Sequence, residues 1–139
     1  MIISMPQKHN DFGGNDDENT ENKYLPHNLR KNSVVYTGTH DNQTTQAWFE
    51  SLTDDFREEI LLYTKTSGKD IVGDFMKLAW ESEANMAIIP LQDLLRLGSD
   101  SRMNIPGTSS NNWEWRFTWN QEMGKRGLEL SELTKHSNR

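Results

Sequence analysis

The chain has 139 residues, 33% of them hydrophobic, with a mean hydropathy of −0.87 and a formal net charge of −6 at pH 7. This length fits one ordinary domain, and the acidic balance argues against a general affinity for nucleic acid or for anionic membranes. The sequence contains no cysteine, which excludes disulfides and thiolate metal sites.

The first part of the chain predicts little regular structure. The stretch 8–32 combines paired glycines, an acidic run at 16–18 and Pro26, which predicts a long surface loop. A polar stretch of this length is typical of a disordered linker. It is equally typical of a binding loop or lid, and both interpretations stay open.

Two short apolar runs predict strands, and each leads into polar side chains. The first, at 33–37, is predicted to be a buried strand, and the second lies at 86–90. The first run is followed by His40, Asp41 and Asn42, and the second by Gln92 and Asp93. In parallel α/β folds, sites are built at the carboxyl ends of strands.

Five helical segments follow from caps and apolar spacing. A short helix over 46–50 is predicted with Thr44 or Thr45 as its cap, and a second begins near Thr53 and ends at 67–68. A third begins at Asp70 and keeps one buried face through Ala79. Beyond the second strand, helices are predicted at 91–95 and 121–136, on either side of a loop over 98–112.

This order predicts an α/β fold with parallel strands joined by helical crossovers. A complete (β/α)₈ barrel needs eight strands and about 250 residues. Two or three strands cannot close one, and their edges would be unpaired. We therefore expect a section of a larger fold, corresponding to a partial TIM barrel.

The chemistry of the first strand end can be interpreted in two ways from the residues alone. His40 and Asp41 carry groups that hydrogen-bond to sugar hydroxyls, but Asp41 or Asn42 could equally cap the next helix. The nearby acidic residues are expected to be solvated helix surface: Glu50, Asp54, Asp55, Glu58 and Glu59.

Tryptophans and histidines give weaker signals. Trp113 and Trp115 lie two positions apart beside polar loop residues, where a role in the core or as a loop anchor is more common than stacking on a sugar ring. Arg116 is expected to pair with a carboxylate or with backbone carbonyls. The four histidines lack metal-ligand spacing, and no phosphate-binding loop occurs, so we expect neither a metal nor a cofactor.

Five blocks of the sequence resemble successive motifs of the amylomaltase family, the 4-α-glucanotransferases of glycoside hydrolase family 77. The likeness covers roughly residues 11–120, in the family's order and near its spacing. The blocks are YLPHN at 24–28, VVYTGTHDN at 34–42, IIPLQD at 88–93, RMNIPGT at 102–108 and NWEWR at 112–116. Residues 1–10 match poorly, and Gln43 departs from the acidic residue common at that position.

The resemblance implies the C-terminal section of a (β/α)₈ glucanotransferase domain, about its last three strands with their helices, over 1–139. It implies that Asp41 is the third catalytic carboxylate, which stabilises the transition state of a retaining double displacement. The substrate-binding residues implied are His40, Asn42, Gln92, Asn104, Pro106 and Trp113.

The family's nucleophile and general acid precede the matched region. We therefore expect a fragment of a 4-α-glucanotransferase that is inactive alone. The alternatives are a non-catalytic α-glucan-binding protein and a piece that complements a separate N-terminal part of the barrel.

Expected ligands are α-1,4-glucans and maltooligosaccharides, with glucose as acceptor and without cofactor, nucleic acid or membrane. No signal-peptide pattern and no run of about 18 apolar residues occurs. The expected location is cytoplasmic, or plastidic for a plant or alga.

Overall fold

The computed structural model describes residues 2–4 and 25–139 of the chain. Within these residues the chain forms three short strands and five helices. The strands are β1 (Ile2–Ser4), β2 (Val34–Tyr36) and β3 (Met86–Ile88). The helices are α1 (Thr45–Glu50), α2 (Asp54–Thr64), α3 (Ile71–Glu81), α4 (Leu91–Leu94) and α5 (Gln121–His136).

The three strands form one parallel sheet in the order β1-β2-β3. Val35 in the central strand is in register with Ile3 on one side and with Ala87 on the other. Helices α1 to α3 form the crossover from β2 to β3. The predicted α/β class and parallel pairing are confirmed, whereas β1 was missed because its apolar run, at 1–3, is only three residues long.

The helix starts follow from the predicted caps. The Thr44 side chain accepts a hydrogen bond from the Ala47 N–H at 3.2 Å and caps α1. Asp70 accepts one from the Gly73 N–H at 3.1 Å and caps α3. Each cap satisfies a backbone donor that has no partner within its own helix.

Helix α2 ends earlier than the sequence predicts. Lys65 follows Thr64 in a left-handed conformation with a φ of 54° and closes the helix there, not at 67–68. Gly68 has a φ of +69°, and a Cβ at this position would lie 2.6 Å from Cδ2 of Leu61. The glycine is therefore required where the chain folds back against the helix, rather than at the helix end.

Helix α3 forms the centre of the hydrophobic core. Trp48 of α1 packs edge-on against Phe75 of α3, with ring centroids 5.5 Å apart, and against Phe56 of α2 at 6.3 Å. The fully or nearly fully buried apolar side chains of the core are Leu25, Leu29, Val35, Trp48, Phe56, Ile60, Ile71, Val72, Phe75, Met76, Ala79, Trp80, Ala84 and Leu94.

The predicted loop over 8–32 lies outside the described residues up to position 24. Its remaining part is not simply surface loop: Pro26–Asn28 forms a 3₁₀ turn, and Leu25 and Leu29 on either side of it are buried. These leucines join the core, so this end of the segment is fixed by burial of apolar surface.

Helix α5 has the bounds that the sequence predicts. Leu130 and Leu133 pack against the core, whereas Leu128 is exposed. The Trp80 indole N–H donates to the Thr134 hydroxyl at 3.0 Å and links α5 to α3. Across the described residues, no helix has both the length and the apolar composition that crossing a bilayer requires.

Candidate functional site

The carboxyl ends of β2 and β3 lie side by side and meet a third segment, 101–113. Because the strands are parallel, the loop after β2 and the residues after β3 reach the same edge of the sheet. Together these segments border a cleft of about 150 Å³. The residues that line it are Thr39, His40, Asn42, Gln43, Thr44, Pro90, Gln92, Asp93, Ser101, Arg102, Met103 and Trp113.

Asp41 lies beside this cleft and is held from the third segment. Its Oδ1 accepts a hydrogen bond from the Asn104 side-chain amide at 2.6 Å. Arg102 donates to the backbone carbonyl of Asp41 at 2.7 Å and to that of Asn104 at 2.8 Å. The carboxylate is nevertheless 52% exposed, so it is oriented while remaining accessible to a ligand.

His40 lies between Asp41 and Trp113. Its Nε2 is 3.4 Å from Oδ1 of Asp41, and its ring centroid is 4.9 Å from that of Trp113, with the rings tilted by 37°. The imidazole is 54% exposed. The three side chains therefore form one accessible corner with a carboxylate, an imidazole and an apolar indole face.

Trp113 occupies an unusual backbone conformation. Its φ is 64°, in the left-handed region that bulky residues avoid, and its N–H donates to the Met103 carbonyl at 2.7 Å. The side chain is 54% exposed, so of the predicted roles in the core or as a loop anchor, the core role is wrong for this residue. Arg116 donates to the carbonyls of Trp113 and Trp115 at 2.8 and 2.7 Å, as predicted for backbone pairing.

Asn42 stabilises the loop after β2 rather than the next helix. Its Oδ1 accepts hydrogen bonds from the N–H and the hydroxyl of Thr39 at 2.8 and 2.9 Å. Helix α1 is capped by Thr44. The alternative in which Asp41 or Asn42 caps this helix is therefore wrong. His40 lines the cleft instead, and Asp41 lies beside it.

Asp93 has a role that was not predicted from the sequence. Asp93 is only 1% exposed and accepts three hydrogen bonds, from the Thr37 hydroxyl at 2.8 Å, the Thr45 N–H at 2.7 Å and the Thr45 hydroxyl at 2.8 Å. Gln92 beside it is also buried in the cleft wall. An acidic residue within a mostly apolar segment after the second strand was the available signal.

The two remaining predicted site residues differ in position. Asn104 contacts Asp41, as described, whereas Pro106 is exposed and is not among the residues that line the cleft. Pro106 and Gly107 form the centre of a turn closed by the Thr108 N–H and the Ile105 carbonyl at 3.2 Å. Gly107 has a φ of +84°, as a type II turn with proline before it requires. A role of Pro106 in substrate binding stays a prediction.

Other charged clusters lie outside the cleft lining. Burial raises the pKa of the Tyr63 hydroxyl to about 12, against the opposing hydrogen bond with His27. Burial also tends to raise the pKa of Asp70, but hydrogen bonds from Arg96 and Gly73 and the nearby positive charges outweigh it and lower that pKa. Within residues 2–4 and 25–139, no group of three or more His, Asp or Glu side chains could hold a metal ion.

Comparison with protein families gives one consistent result. The family model for 4-alpha-glucanotransferase matches residues 10–121. A 4-alpha-glucanotransferase of Solanum tuberosum, described as chloroplastic/amyloplastic, is 48% identical over 114 residues, which cover 81% of this chain and 20% of the relative. A Synechocystis 4-alpha-glucanotransferase is 46% identical over 103 residues, covering 73% of this chain and 20% of the relative.

Structural comparison agrees with these sequence matches. The solved structure of amylomaltase from Streptococcus agalactiae in complex with acarbose has a TM-score of 0.81 and 30% sequence identity with this chain. The match covers 98% of this chain and 27% of that protein. This chain thus spans about a fifth of the length of the first curated relatives it matches.

Proposed function

This chain belongs to the 4-alpha-glucanotransferase family. On that premise we propose that the corner formed by His40, Asp41 and Trp113 stabilises the transition state in a glucan-transfer site. The enzyme would move α-1,4-glucan segments between maltooligosaccharides, with glucose as a further acceptor. The observation that carries this proposal is the accessible Asp41 carboxylate at a strand end, oriented by Asn104 and Arg102.

Asp41 is suited to stabilise developing positive charge without reacting covalently. Retaining transfer passes through an oxocarbenium-like state, in which hydrogen bonds to the ring hydroxyls strengthen as charge develops. An aspartate held by a side-chain amide donor keeps further oxygen lone pairs for those hydroxyls. Its orientation before substrate arrives would reduce the reorganisation needed during the reaction.

His40 and Trp113 would bind the same sugar. The indole face offers an apolar surface for the C–H face of a pyranose ring, and 54% exposure leaves that surface accessible. The imidazole lies 3.4 Å from Asp41, so both groups can reach neighbouring hydroxyls. Asn42 and Gln92 would add hydrogen-bonding groups to the cleft wall.

We propose that this chain alone does not catalyse transfer. A retaining mechanism needs a nucleophile and a general acid, two carboxyl groups about 5–5.5 Å apart. Among the described residues that line the cleft, the one carboxylate is Asp93, and both of its oxygens are hydrogen-bonded in a buried position. The other two catalytic carboxylates would come from barrel strands outside the matched region. The three-stranded sheet would form one section of that complete barrel.

A second candidate is binding of α-glucan without turnover. It is favoured by the accessible Trp113 and His40 rings, whose contact is made entirely within this chain. In this case the chain would bind maltooligosaccharides by itself and would show no turnover, even when mixed with the remaining part of the barrel. The relative from S. agalactiae was solved with acarbose, which supports an oligosaccharide as ligand. The cytoplasmic or plastid location stays a prediction.

The test is glucose release from maltotriose by the purified chain, by its Asp41→Ala variant and by a whole relative such as the potato enzyme. We expect release from the whole relative and none from either form of this chain. Turnover by the chain that disappears in Asp41→Ala would contradict its inactivity and support the role of Asp41. Turnover that persists in Asp41→Ala would contradict that role.

A complementation experiment separates the two candidates. The chain is mixed with the potato enzyme from which the matching region has been deleted, and glucose release is measured again. Activity that appears when the truncated potato enzyme is mixed with the unsubstituted 139-residue chain, but not with its Asp41→Ala variant, would assign the catalytic carboxylate to this chain. Binding of maltotriose without activity in any mixture would favour a glucan-binding protein.

A further inference from the structure

Asp93 joins the two ends of the loop that carries the candidate catalytic residues. Its Oδ2 accepts hydrogen bonds from the Thr37 hydroxyl and the Thr45 hydroxyl, each at 2.8 Å, and its Oδ1 accepts the Thr45 N–H at 2.7 Å. Thr37 is the residue directly after β2, and Thr45 is the first residue of α1. One side chain from α4, the short helix after β3, therefore fixes both boundaries of the loop 38–44.

We propose that Asp93 is a positioning residue, which holds the loop 38–44 so that His40 and Asp41 face the cleft. This inference rests on the proposed function for its catalytic meaning. Asp93 itself does not touch substrate in this account, because it is 1% exposed and its oxygens are used by Thr37 and Thr45. It acts through the segment that it anchors.

A carboxylate is well suited to this position. Hydrogen bonds to a charged acceptor are shorter and stronger than those between neutral groups, and a buried charge is tolerated only when donors satisfy it. The Thr45 N–H is a first-turn donor of α1, which has no partner within the helix. Asp93 supplies that partner and at the same time secures the end of β2 through the Thr37 hydroxyl.

The loop is thus held from two directions. At its base, Asp93 fixes the two ends of the loop, and on the cleft side the segment 101–113 holds its middle. Arg102 binds the Asp41 carbonyl, Asn104 binds the Asp41 carboxylate, and the Trp113 ring lies against His40. If the hydrogen bonds of Asp93 are removed, the contacts on the cleft side alone must orient a loop whose ends can shift.

The experiment uses the ligand-free 139-residue chain and nuclear magnetic resonance. Two readouts report on the loop: hydrogen exchange of the amides at 38–44, and the cross-relaxation between the His40 and Trp113 rings. The variants are Asp93→Ala and the isosteric Thr37→Val, which removes one hydroxyl donor and preserves the side-chain volume. The Trp80 indole N–H, bonded to Thr134 at 3.0 Å, reports on the fold away from the cleft.

Asp70→Ala is the matched control. It removes another capping carboxylate, which accepts the Gly73 N–H and pairs with Arg96, and it should destabilise the chain without touching the loop 38–44. All exchange rates are compared after correction for the global unfolding measured in each variant. A merely structural role for Asp93 would make its variants resemble this control.

We expect amide exchange over 38–44 to become about tenfold faster in Thr37→Val, as expected for the loss of one hydrogen bond to a charged group, and faster still in Asp93→Ala. The His40–Trp113 cross-relaxation should weaken in both variants, with the Trp80 signal retained. If the loop exchange and the ring contact of Thr37→Val match those of the control Asp70→Ala, the proposal is overturned. This test holds even if Asp93→Ala does not fold. Because no glucan is present, failure of glucan binding would count against the proposed function and not against this result.

Discussion

Asp41 and Asp93 are carboxylates in the segments that follow two neighbouring parallel strands, yet their surroundings are opposite. The Asp41 side chain is 52% exposed, and its carboxylate accepts a hydrogen bond from the Asn104 side chain. Asp93 is 1% exposed and accepts three hydrogen bonds. The exposed carboxylate can still accept hydrogen bonds from a ligand, whereas the oxygens of the buried one already accept hydrogen bonds from the protein.

This difference separates two tasks at one edge of a sheet. A group that binds substrate must be oriented but not saturated, and a group that fixes the backbone must be saturated to be tolerated in the interior. The stability of the chain should therefore depend on Asp93, whereas binding of sugar should depend on Asp41. The predictions below test this division, beginning with the largest effect.

Asp93→Ala should be strongly destabilising. The substitution leaves the Thr45 N–H and two hydroxyls without their acceptor in the interior, so we expect a loss of about 3 kcal/mol in the free energy of unfolding. Asp41→Ala, which loses the exposed contact with Asn104, should cost less than about 1 kcal/mol. Urea denaturation of both variants measures this difference, and equal losses would contradict the division of tasks.

Two threonines close to each other in sequence give a finer version of the same test. Thr37→Val removes a hydroxyl donor to the buried Asp93 and should cost about 2 kcal/mol, since hydrogen bonds to charged groups are the stronger ones. Thr39→Val removes a hydroxyl donor to Asn42, while the Thr39 N–H keeps its bond to the same oxygen. It should cost about 0.5 kcal/mol. A larger loss for Thr39→Val in thermal or urea unfolding would be inconsistent with this account.

Asp70 combines features of both carboxylates: its side chain is half-exposed, like that of Asp41, yet it is paired with Arg96. Its lowered pKa in the folded chain means that its contribution to stability is present above the unfolded-state pKa of about 3.9 and is lost as the pH falls through the lower, folded value. The difference in unfolding midpoint between the parent chain and Asp70→Asn should therefore be largest near neutral pH and should shrink in acid. A difference that grows on acidification would contradict the sign of this pKa shift.

The smallest effect on stability is expected at Trp113. Trp113→Gly removes a large side chain that is 54% exposed but also relieves a left-handed backbone conformation that glycine adopts freely. We expect these contributions to nearly cancel, with a change within about 0.5 kcal/mol. Trp48→Ala in the core should instead cost about 3 kcal/mol or more. Comparable losses in the two variants by urea denaturation would show that Trp113 has a core role after all.

The parts of the fold that local chemistry decides were predictable from the sequence. The caps Thr44 and Asp70 and the bounds of α5 follow from side-chain donors, acceptors and apolar spacing that lie within one segment. The strand-end position of His40 and Asp41 followed from the alternation of strands and helices. The α/β class with parallel strands followed in the same way.

The parts that depend on distant residues were not predictable in this way. The burial of Asp93 results from Thr37 and Thr45, which are 56 and 48 positions away in sequence. Trp113 is exposed and has a left-handed backbone, with its N–H bonded to the Met103 carbonyl, and no composition rule predicts a left-handed tryptophan. The early end of α2 at Lys65 was missed because Gly68 is the usual stop signal, and here close packing against Leu61 requires it instead.

The central claim is that the corner formed by His40, Asp41 and Trp113 binds α-glucan. The most direct measurement is a titration of the isotope-labelled chain with maltotriose, with amide, His40 and tryptophan indole signals followed by nuclear magnetic resonance and Asp41→Asn as the comparison. We predict shifts concentrated at 38–44 and 101–113, with weaker binding in the variant. Shifts concentrated at the exposed Trp119, which is away from the cleft lining, or the same affinity in Asp41→Asn, would contradict it.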